Sequence, residues 1–115
     1  MNSTQYISVS NALENLEDQV STENYNTIRS FINDAAAEGI GESQQERQIY
    51  ALKTVLKKFA PEGFTLDGAT EQELKNLVAD LNRSDYAEST KAKIRGSLKK
   101  FYKVQNGGNE HPEKV

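Results

Sequence analysis

The spacing of apolar residues predicts four main helices joined by short polar connections. Apolar side chains recur at intervals of three and four residues in the ranges 22–38, 43–59, 71–81 and 87–105, which is the spacing of one helical face. No alternating pattern is long enough for a strand. We therefore predict an all-α, four-helix bundle. The four predicted stripes are, in chain order, Tyr25, Ile28, Phe31, Ile32 and Ala35; Ile49, Leu52, Val55, Leu56 and Phe59; Leu74, Leu77, Val78 and Leu81; and Ile94, Leu98, Phe101 and Tyr102.

Residues with known preferences for helix ends stand at the borders of these ranges. Ser21 or Thr22 can cap the first helix, and Gly39 is a natural residue to follow its end. Pro61 and Gly63 end the second helix. Three pairs have the spacing of a capping box and predict the starts of the later helices: Ser43 with Glu46, Thr70 with Glu73, and Asp85 with Glu88.

The remaining segments are predicted to lie outside regular helices. Residues 1–20 are polar with sparse apolar positions, so we expect an extended lead-in with one short helical turn at 12–18. The run Phe64-Thr65-Leu66 is too short for a sheet, and we expect it to fill the core from a loop. The pair Gly107-Gly108 is expected to end the last helix. This divides the chain into a lead-in (1–20), a helical domain (21–105) and a linker (106–115).

Composition excludes several classes of protein. The 115 residues allow one small domain, with 36% hydrophobic and 27% charged residues. The absence of cysteine excludes disulfides and cysteine-bound zinc, and the single histidine, His111, excludes a Ser-His-Asp triad. No run approaches the roughly 20 apolar residues of a membrane span, and residues 1–10 do not resemble a signal peptide. We expect a cytoplasmic protein with no membrane contact, metal or cofactor.

No arrangement of residues predicts catalysis. The carboxylate pair Glu71 and Glu73 lies where a first helical turn favours acids. The run Gly39-Ile40-Gly41 is not a phosphate loop, because no lysine follows it in a strand–loop–helix context. This chain is therefore predicted to have neither catalytic residues nor a small-molecule substrate.

Charge is distributed unevenly along the chain. The net charge is −3, but residues 1–46 carry one base against eight acids, whereas residues 47–115 carry 13 bases against 9 acids. Between Ser89 and Lys103 there are six bases and no acid. Such a helix predicts a face for a polyanion, although opposite charges can also simply solvate different faces.

The second and fourth predicted helices supply the candidate contact residues. On the fourth, Lys91, Arg95 and Lys99 form one stripe, and Lys93 and Lys100 lie on the other flank. On the second, the predicted outer face carries Arg47, Thr54 and Lys58, with Tyr50, Lys53 and Lys57 beside it. Cations neutralise phosphates, and hydroxyl and amide groups position a protein on DNA or reach base edges.

From residue 28 onward the chain resembles the N-terminal core-binding (SAM-like) domain of phage-type tyrosine recombinases and integrases, most closely the archaeal ones. The order and spacing of the motifs carry the resemblance, and at Gln44 and Gln48 the chain differs from the Thr and Tyr common in the family. The matching segments are Ile28-Arg29-Ser30-Phe31-Ile32, Glu38-Gly39-Ile40-Gly41-Glu42-Ser43, Leu66-Asp67-Gly68-Ala69-Thr70-Glu71-Gln72-Glu73-Leu74, Tyr86-Ala87-Glu88-Ser89-Thr90-Lys91, Leu98-Lys99-Lys100-Phe101-Tyr102-Lys103, and Gly107-Gly108-Asn109-Glu110-His111-Pro112.

The resemblance implies an orthogonal SAM-like bundle, of the type at the N-terminus of lambda integrase, that clamps double-stranded DNA during integration or recombination. It also implies contacts with other recombinase protomers in the synaptic complex. The family's catalytic residues are not matched here, so the chain looks like an excised domain that binds without cutting. The implied DNA contacts are Gln44, Arg47, Tyr50, Ser89, Lys91, Lys93 and Arg95. The alternative from the residues is a non-catalytic protein–protein interaction module that uses the acidic first helix.

Overall fold

The structure, a computed structural model, describes residues 3–105, with side chains from Val9 onward. Over these residues it is all-helical, which confirms the predicted fold class at that level. The described elements are α1 (Ser3–Glu17), α2 (Thr22–Ala37), α3 (Glu42–Thr54), α4 (Glu71–Arg83) and α5 (Glu88–Gln105). A π-helical turn, Val55–Phe59, continues α3.

The central element is α3. It packs against α1, α2 and α5, and its π-helical extension packs against α4, which also contacts α5. Ile49 and Leu52 of α3 are at most 2% exposed, and Val55, the first residue of the π-helical extension, is fully buried. One core therefore links all five helices, and few positions of α3 are left for solvent or for a partner.

The N-terminal helix corrects the predicted lead-in. Instead of an extended segment with one turn, residues 3–17 form α1, in which Val9 and Leu16 are buried in the common core. Leu13 packs partly against the same core. The five described helices likewise replace the predicted four.

The predicted caps form at both ends of α2 and at the start of α4, whereas the predicted capping box of Asp85 with Glu88 is wrong, because α5 itself begins at Glu88. The hydroxyl of Ser21 accepts a hydrogen bond from the backbone N–H of Asn24, and Thr70 with Glu73 forms a complete capping box. Gly39 has φ +90°, and the N–H groups of Gly39 and Ile40 bond the carbonyls of Ala36 and Ala35 in a Schellman arrangement.

The predicted capping box of Ser43 with Glu46 is wrong. The N-cap of α3 is Gly41, which has no side chain to accept a hydrogen bond, so Ser43 lies inside the first turn. The neighbouring Gln45 is buried, and its Nε2 donates a hydrogen bond of 2.8 Å to the carbonyl of Ile40. A buried amide thus fixes the connection between α2 and α3.

The loop between α3 and α4 fills the core as predicted. Phe64 is 6% exposed and Leu66 is fully buried. The Asn24 side chain donates to the Phe64 carbonyl and accepts from the Leu66 N–H, both at 2.9 Å. The hydroxyl of Tyr102 donates to the Leu66 carbonyl at 2.7 Å. These bonds satisfy backbone groups that burial removes from water.

The π-helical turn ends α3 ahead of Pro61. The N–H of Ala60 bonds the carbonyl of Val55, five residues earlier, and Ala60 itself is extended. A residue before proline disfavours helical backbone, which explains the stop. The predicted linker 106–115, with the stop at Gly107-Gly108, lies outside the described residues.

Candidate nucleic-acid interface

A cleft of about 250 Å³ opens between α3 and α5. Ala51, Ile94 and Ser97 are buried and form its floor, whereas Arg47, Tyr50 and Lys93 are exposed on its walls. Its lining comprises Arg47, Tyr50 and Ala51 from α3, with Thr90, Lys93, Ile94 and Ser97 from α5. Side chains from two helices that are distant in sequence thus surround one concave surface.

Helical periodicity explains why these residues share the cleft. On α3, Arg47 precedes Tyr50 and Ala51 by three and four residues, so all three lie on neighbouring parts of one face. On α5, Thr90 precedes Lys93 and Ser97 by three and seven residues. The small Ala51 and Ser97 side chains lie at the contact, where their size leaves room for the cleft.

The cleft is positively charged. Its lining contains two cations and no carboxylate. Within residues 9–105, neither Arg47 nor Lys93 forms an ion pair. Tyr50 is 53% exposed, which is high for a large ring and leaves its hydroxyl free to contact a partner. The surface therefore offers cations and hydroxyls to an anionic ligand.

Two of the other predicted contacts, Lys91 and Arg95, lie on the far flank of α5. Lys91 Nζ donates to the backbone carbonyl of Asn82 at 2.7 Å. Arg95 donates to Asn82 Oδ1 at 2.5 Å and forms an ion pair with Glu88 at 3.0 Å. Because Asn82 belongs to the last turn of α4, Lys91 satisfies a backbone carbonyl at the end of that helix, whereas Arg95 bonds the Asn82 side chain. The structure thus gives both residues an intramolecular role.

The remaining predicted contacts flank the cleft. Ser89 is exposed one turn before Lys93 on α5, and half-buried Gln44 lies one turn before Arg47 on α3. Gln48, one of the two positions at which the sequence differs from the family that it resembles, is buried. Only 5% of this residue is exposed. Its buried Oε1 has no hydrogen-bond partner among the described residues.

Thr54 corrects the predicted outer face of α3. We expected it to be exposed beside Arg47 and Lys58, but it is only 6% exposed, whereas Lys58 is exposed. The reason is that α3 packs against α1 as well as against α2 and α5. It is therefore covered on more sides than in the predicted four-helix bundle, which lacked α1.

Thr90 and Ser97 line the cleft, although neither was among the contacts predicted from sequence. Both lie one turn from Lys93 along α5, at three residues before it and four after it. Residues at i−3 and i+4 lie on the same helical face as Lys93, so this spacing could have indicated that they share its surface. However, a hydroxyl side chain on a helix is usually a packing residue when it is largely buried.

Comparisons of the chain with protein-family models, with curated proteins and with solved structures found no match. In the described part of the chain, no helix is both long and apolar enough to cross a membrane.

Proposed function

We propose that the α3–α5 cleft binds the phosphate backbone of double-stranded DNA. The observation that supports this proposal most strongly is the placement of Arg47, Tyr50 and Lys93. All three were predicted as DNA contacts from sequence, and they surround one cleft that no carboxylate lines. A DNA backbone carries a dense row of negative charge, and cations that neutralise it release bound counterions.

In the proposed mechanism, cations and hydroxyls have different roles in DNA binding. Arg47 and Lys93, on facing walls, neutralise phosphates, and the Tyr50 hydroxyl helps to set the position of the domain along the duplex. Gln44 and Ser89 extend this surface on the two helices and are placed to reach sugar or base edges. Lys91 and Arg95 support α5 from behind by holding it against the end of α4.

We further propose that this helical unit is the core-binding domain of a site-specific tyrosine recombinase. The SAM-like bundle, the clamp around a recombination site and the contacts with other protomers follow from the motif resemblance described above. Catalysis in such an enzyme belongs to a separate domain, so this chain would bind DNA without cutting it. An isolated binding module holds DNA weakly, because two linked modules around one duplex gain affinity from each other.

Paired charge-removal variants test the DNA proposal. The first is R47A/K93A in the cleft. The matched control is R29A/K75A, which removes the same two residue types from exposed positions on α2 and α4. Binding to a labelled duplex of about 20 base pairs is followed by fluorescence anisotropy over a series of salt concentrations.

We expect unmodified protein to show a plot of log K against log salt with a slope near −4, because roughly four to five phosphates are contacted and each contributes about −0.9. The cleft variant should bind at least about tenfold more weakly at low salt, with a slope smaller in magnitude by about 1.8. The control should bind within about twofold of the unmodified protein. Equal losses in both variants, or a slope near zero for the unmodified protein, would contradict the proposal.

The alternative function, a helical protein-interaction module, makes a different prediction. Its binding surface would be the first helix predicted from sequence, which is α2 in the structure and has exposed acids at Glu23, Asp34 and Glu38. A partner captured through that surface would bind R47A/K93A as tightly as it binds unmodified protein. Charge reversal at Glu23 and Asp34 would abolish its binding instead.

A further inference from the structure

A second groove, of about 400 Å³, lies between α4 and α5. Leu74 and Leu98 are buried and Val78 and Ala79 half-buried, so the floor is apolar. The rim is polar and consists of Lys75, Asn82, Arg95 and Lys99. An apolar floor with a polar rim is the general form of a binding groove.

The groove has the length of a short helix contact. On α4 its lining runs from Lys75 through Val78 and Ala79 to Asn82, with spacings of three, four and seven residues. Seven residues of α-helix extend about 10 Å, or two turns. A partner helix of two turns presents apolar side chains at i, i+3, i+4 and i+7, so it is long enough to cover this groove and its apolar floor.

The charges on the rim favour an acidic occupant. Three cations line the groove and no carboxylate does. Lys99 has no ion pair within the described residues. Lys75 lies 4.0 Å from Glu71, and both side chains are at least 60% exposed, so this pair contributes little and can exchange partners.

Arg95 is held in place at the rim. Its Nη1 donates to Asn82 Oδ1 and its Nη2 pairs with Glu88, so its guanidinium is oriented before any partner arrives. A preoriented cation loses less side-chain entropy on binding than a free one does.

We propose that the α4–α5 groove binds an acidic amphipathic helical segment of a partner protein. Apolar side chains of that segment would contact Val78 and Ala79, and its flanking carboxylates would pair with Lys75 and Lys99. This proposal does not depend on DNA binding. Lys93 and Lys99 are about 120° apart around α5, so the groove and the α3–α5 cleft use different flanks of one helix.

The probe is a labelled, acetylated peptide of about 15 residues, with Leu at i, i+3, i+4 and i+7 and Glu on both flanks. A scrambled peptide of identical composition lacks the apolar stripe and serves as the ligand control. We expect the striped peptide to bind at least about fivefold more tightly than the scrambled one in fluorescence anisotropy.

Two groove variants and one control variant locate the binding. A79E places a carboxylate on the groove floor and should weaken striped-peptide binding about tenfold. K99E changes only an exposed rim residue and should weaken striped-peptide binding about threefold. This second variant keeps the test valid if A79E does not fold. The control A36E makes the same change as A79E at an exposed position of α2 and should leave binding unchanged.

Four results would overturn the groove proposal. They are no binding of the striped peptide, equal binding of the scrambled peptide, binding unaffected by both groove variants, and displacement of the peptide by a DNA duplex. The last result would mean that the groove belongs to a nucleic-acid surface. By contrast, failure of R47A/K93A to affect DNA binding would leave the groove proposal intact, because neither residue lines the groove.

Discussion

Tyr102 connects the end of α5 to the loop that closes the core. Its side chain is 3% exposed and its hydroxyl donates to the buried Leu66 carbonyl. Burial raises the pKa of this phenol above its ordinary value of 10.0, and the negative charges of Asp67 and Glu73 raise it further. The folded protein therefore keeps Tyr102 protonated at a pH where the unfolded chain ionises it.

The raised pKa predicts a loss of stability at alkaline pH. Below pH 10 the phenol is protonated in both states and has no pH effect. Above pH 10 the unfolded chain loses this proton and the folded protein does not, so the free energy of unfolding falls, at up to about 1.4 kcal/mol per pH unit. Tyr102→Phe should remove this part of the loss and cost about 1 kcal/mol at neutral pH through the lost hydrogen bond.

Urea unfolding at a series of pH values between neutral and strongly alkaline measures this effect. Tyr50→Phe, the same substitution at an exposed ring, is the control and should keep the alkaline loss of the unmodified protein. A profile for Tyr102→Phe that runs parallel to that of the unmodified protein would show that Tyr102 is not the responsible group.

The basic residues of α5 show how far sequence predicts a site. Lys91, Lys93 and Arg95 are similar in sequence, since all three belong to one acid-free run. In the structure Lys93 lies on the cleft, whereas Lys91 and Arg95 bond to Asn82 at the end of α4. The run predicts a basic helix, but the position of α4 determines which cations are available, and that position depends on tertiary packing.

At the scale of the elements, α1 was the main omission. Val9, Leu13 and Leu16 are spaced by four and three residues, which is a helical pattern. The surrounding residues are polar, and a short helix of this kind is marginal by itself. Contacts with α3 and α2 stabilise it in the fold, and such contacts cannot be inferred from local sequence.

The helices with strong stripes and caps were predicted well. The observed bounds of α2, α4 and α5 lie within two residues of the predicted ranges at each end. In α4 the capping box and the buried residues Leu74, Leu77 and Leu81 agree on the same element. A sequence pattern predicts a helix best when the capping residues at its ends and the apolar positions that become buried indicate the same helix.

The same substitution, glycine to alanine, is expected to change the free energy of unfolding in opposite directions at Gly96 and Gly39. Gly96 lies inside α5, is exposed, and has open space where a Cβ would be added. Gly96→Ala should therefore raise the free energy of unfolding by about 0.5–1 kcal/mol, because alanine loses less backbone entropy on folding. Gly39 also has open space, but its φ of +90° is strained for any residue with a Cβ. Gly39→Ala should lower stability by about 1 kcal/mol.

Chemical unfolding of the two variants, compared with the unmodified protein, measures both signs in one experiment. Since neither added methyl group meets another atom, contacts cannot explain a difference between them. A stabilising Gly39→Ala, or a destabilising Gly96→Ala, would contradict the assigned backbone roles.

At the scale of the whole molecule, the arrangement of helices explains the two proposed surfaces. The central α3 is largely covered, and the flanks of α5 form one cleft with α3 and another with α4. The α3–α5 cleft is lined by cations and hydroxyls, and the α4–α5 groove by apolar residues with a basic rim. Both surfaces border α5, which carries six of the chain's 14 bases and no acid between Ser89 and Lys103.

The most direct test of the DNA-binding proposal is an NMR amide-shift titration of the chain with a duplex of about 20 base pairs, at low and at high salt. We predict shifts concentrated at Arg47, Tyr50, Ser89, Thr90 and Lys93 that disappear at high salt. No shifts at low salt, or shifts confined to the acidic helix α2, would contradict the account.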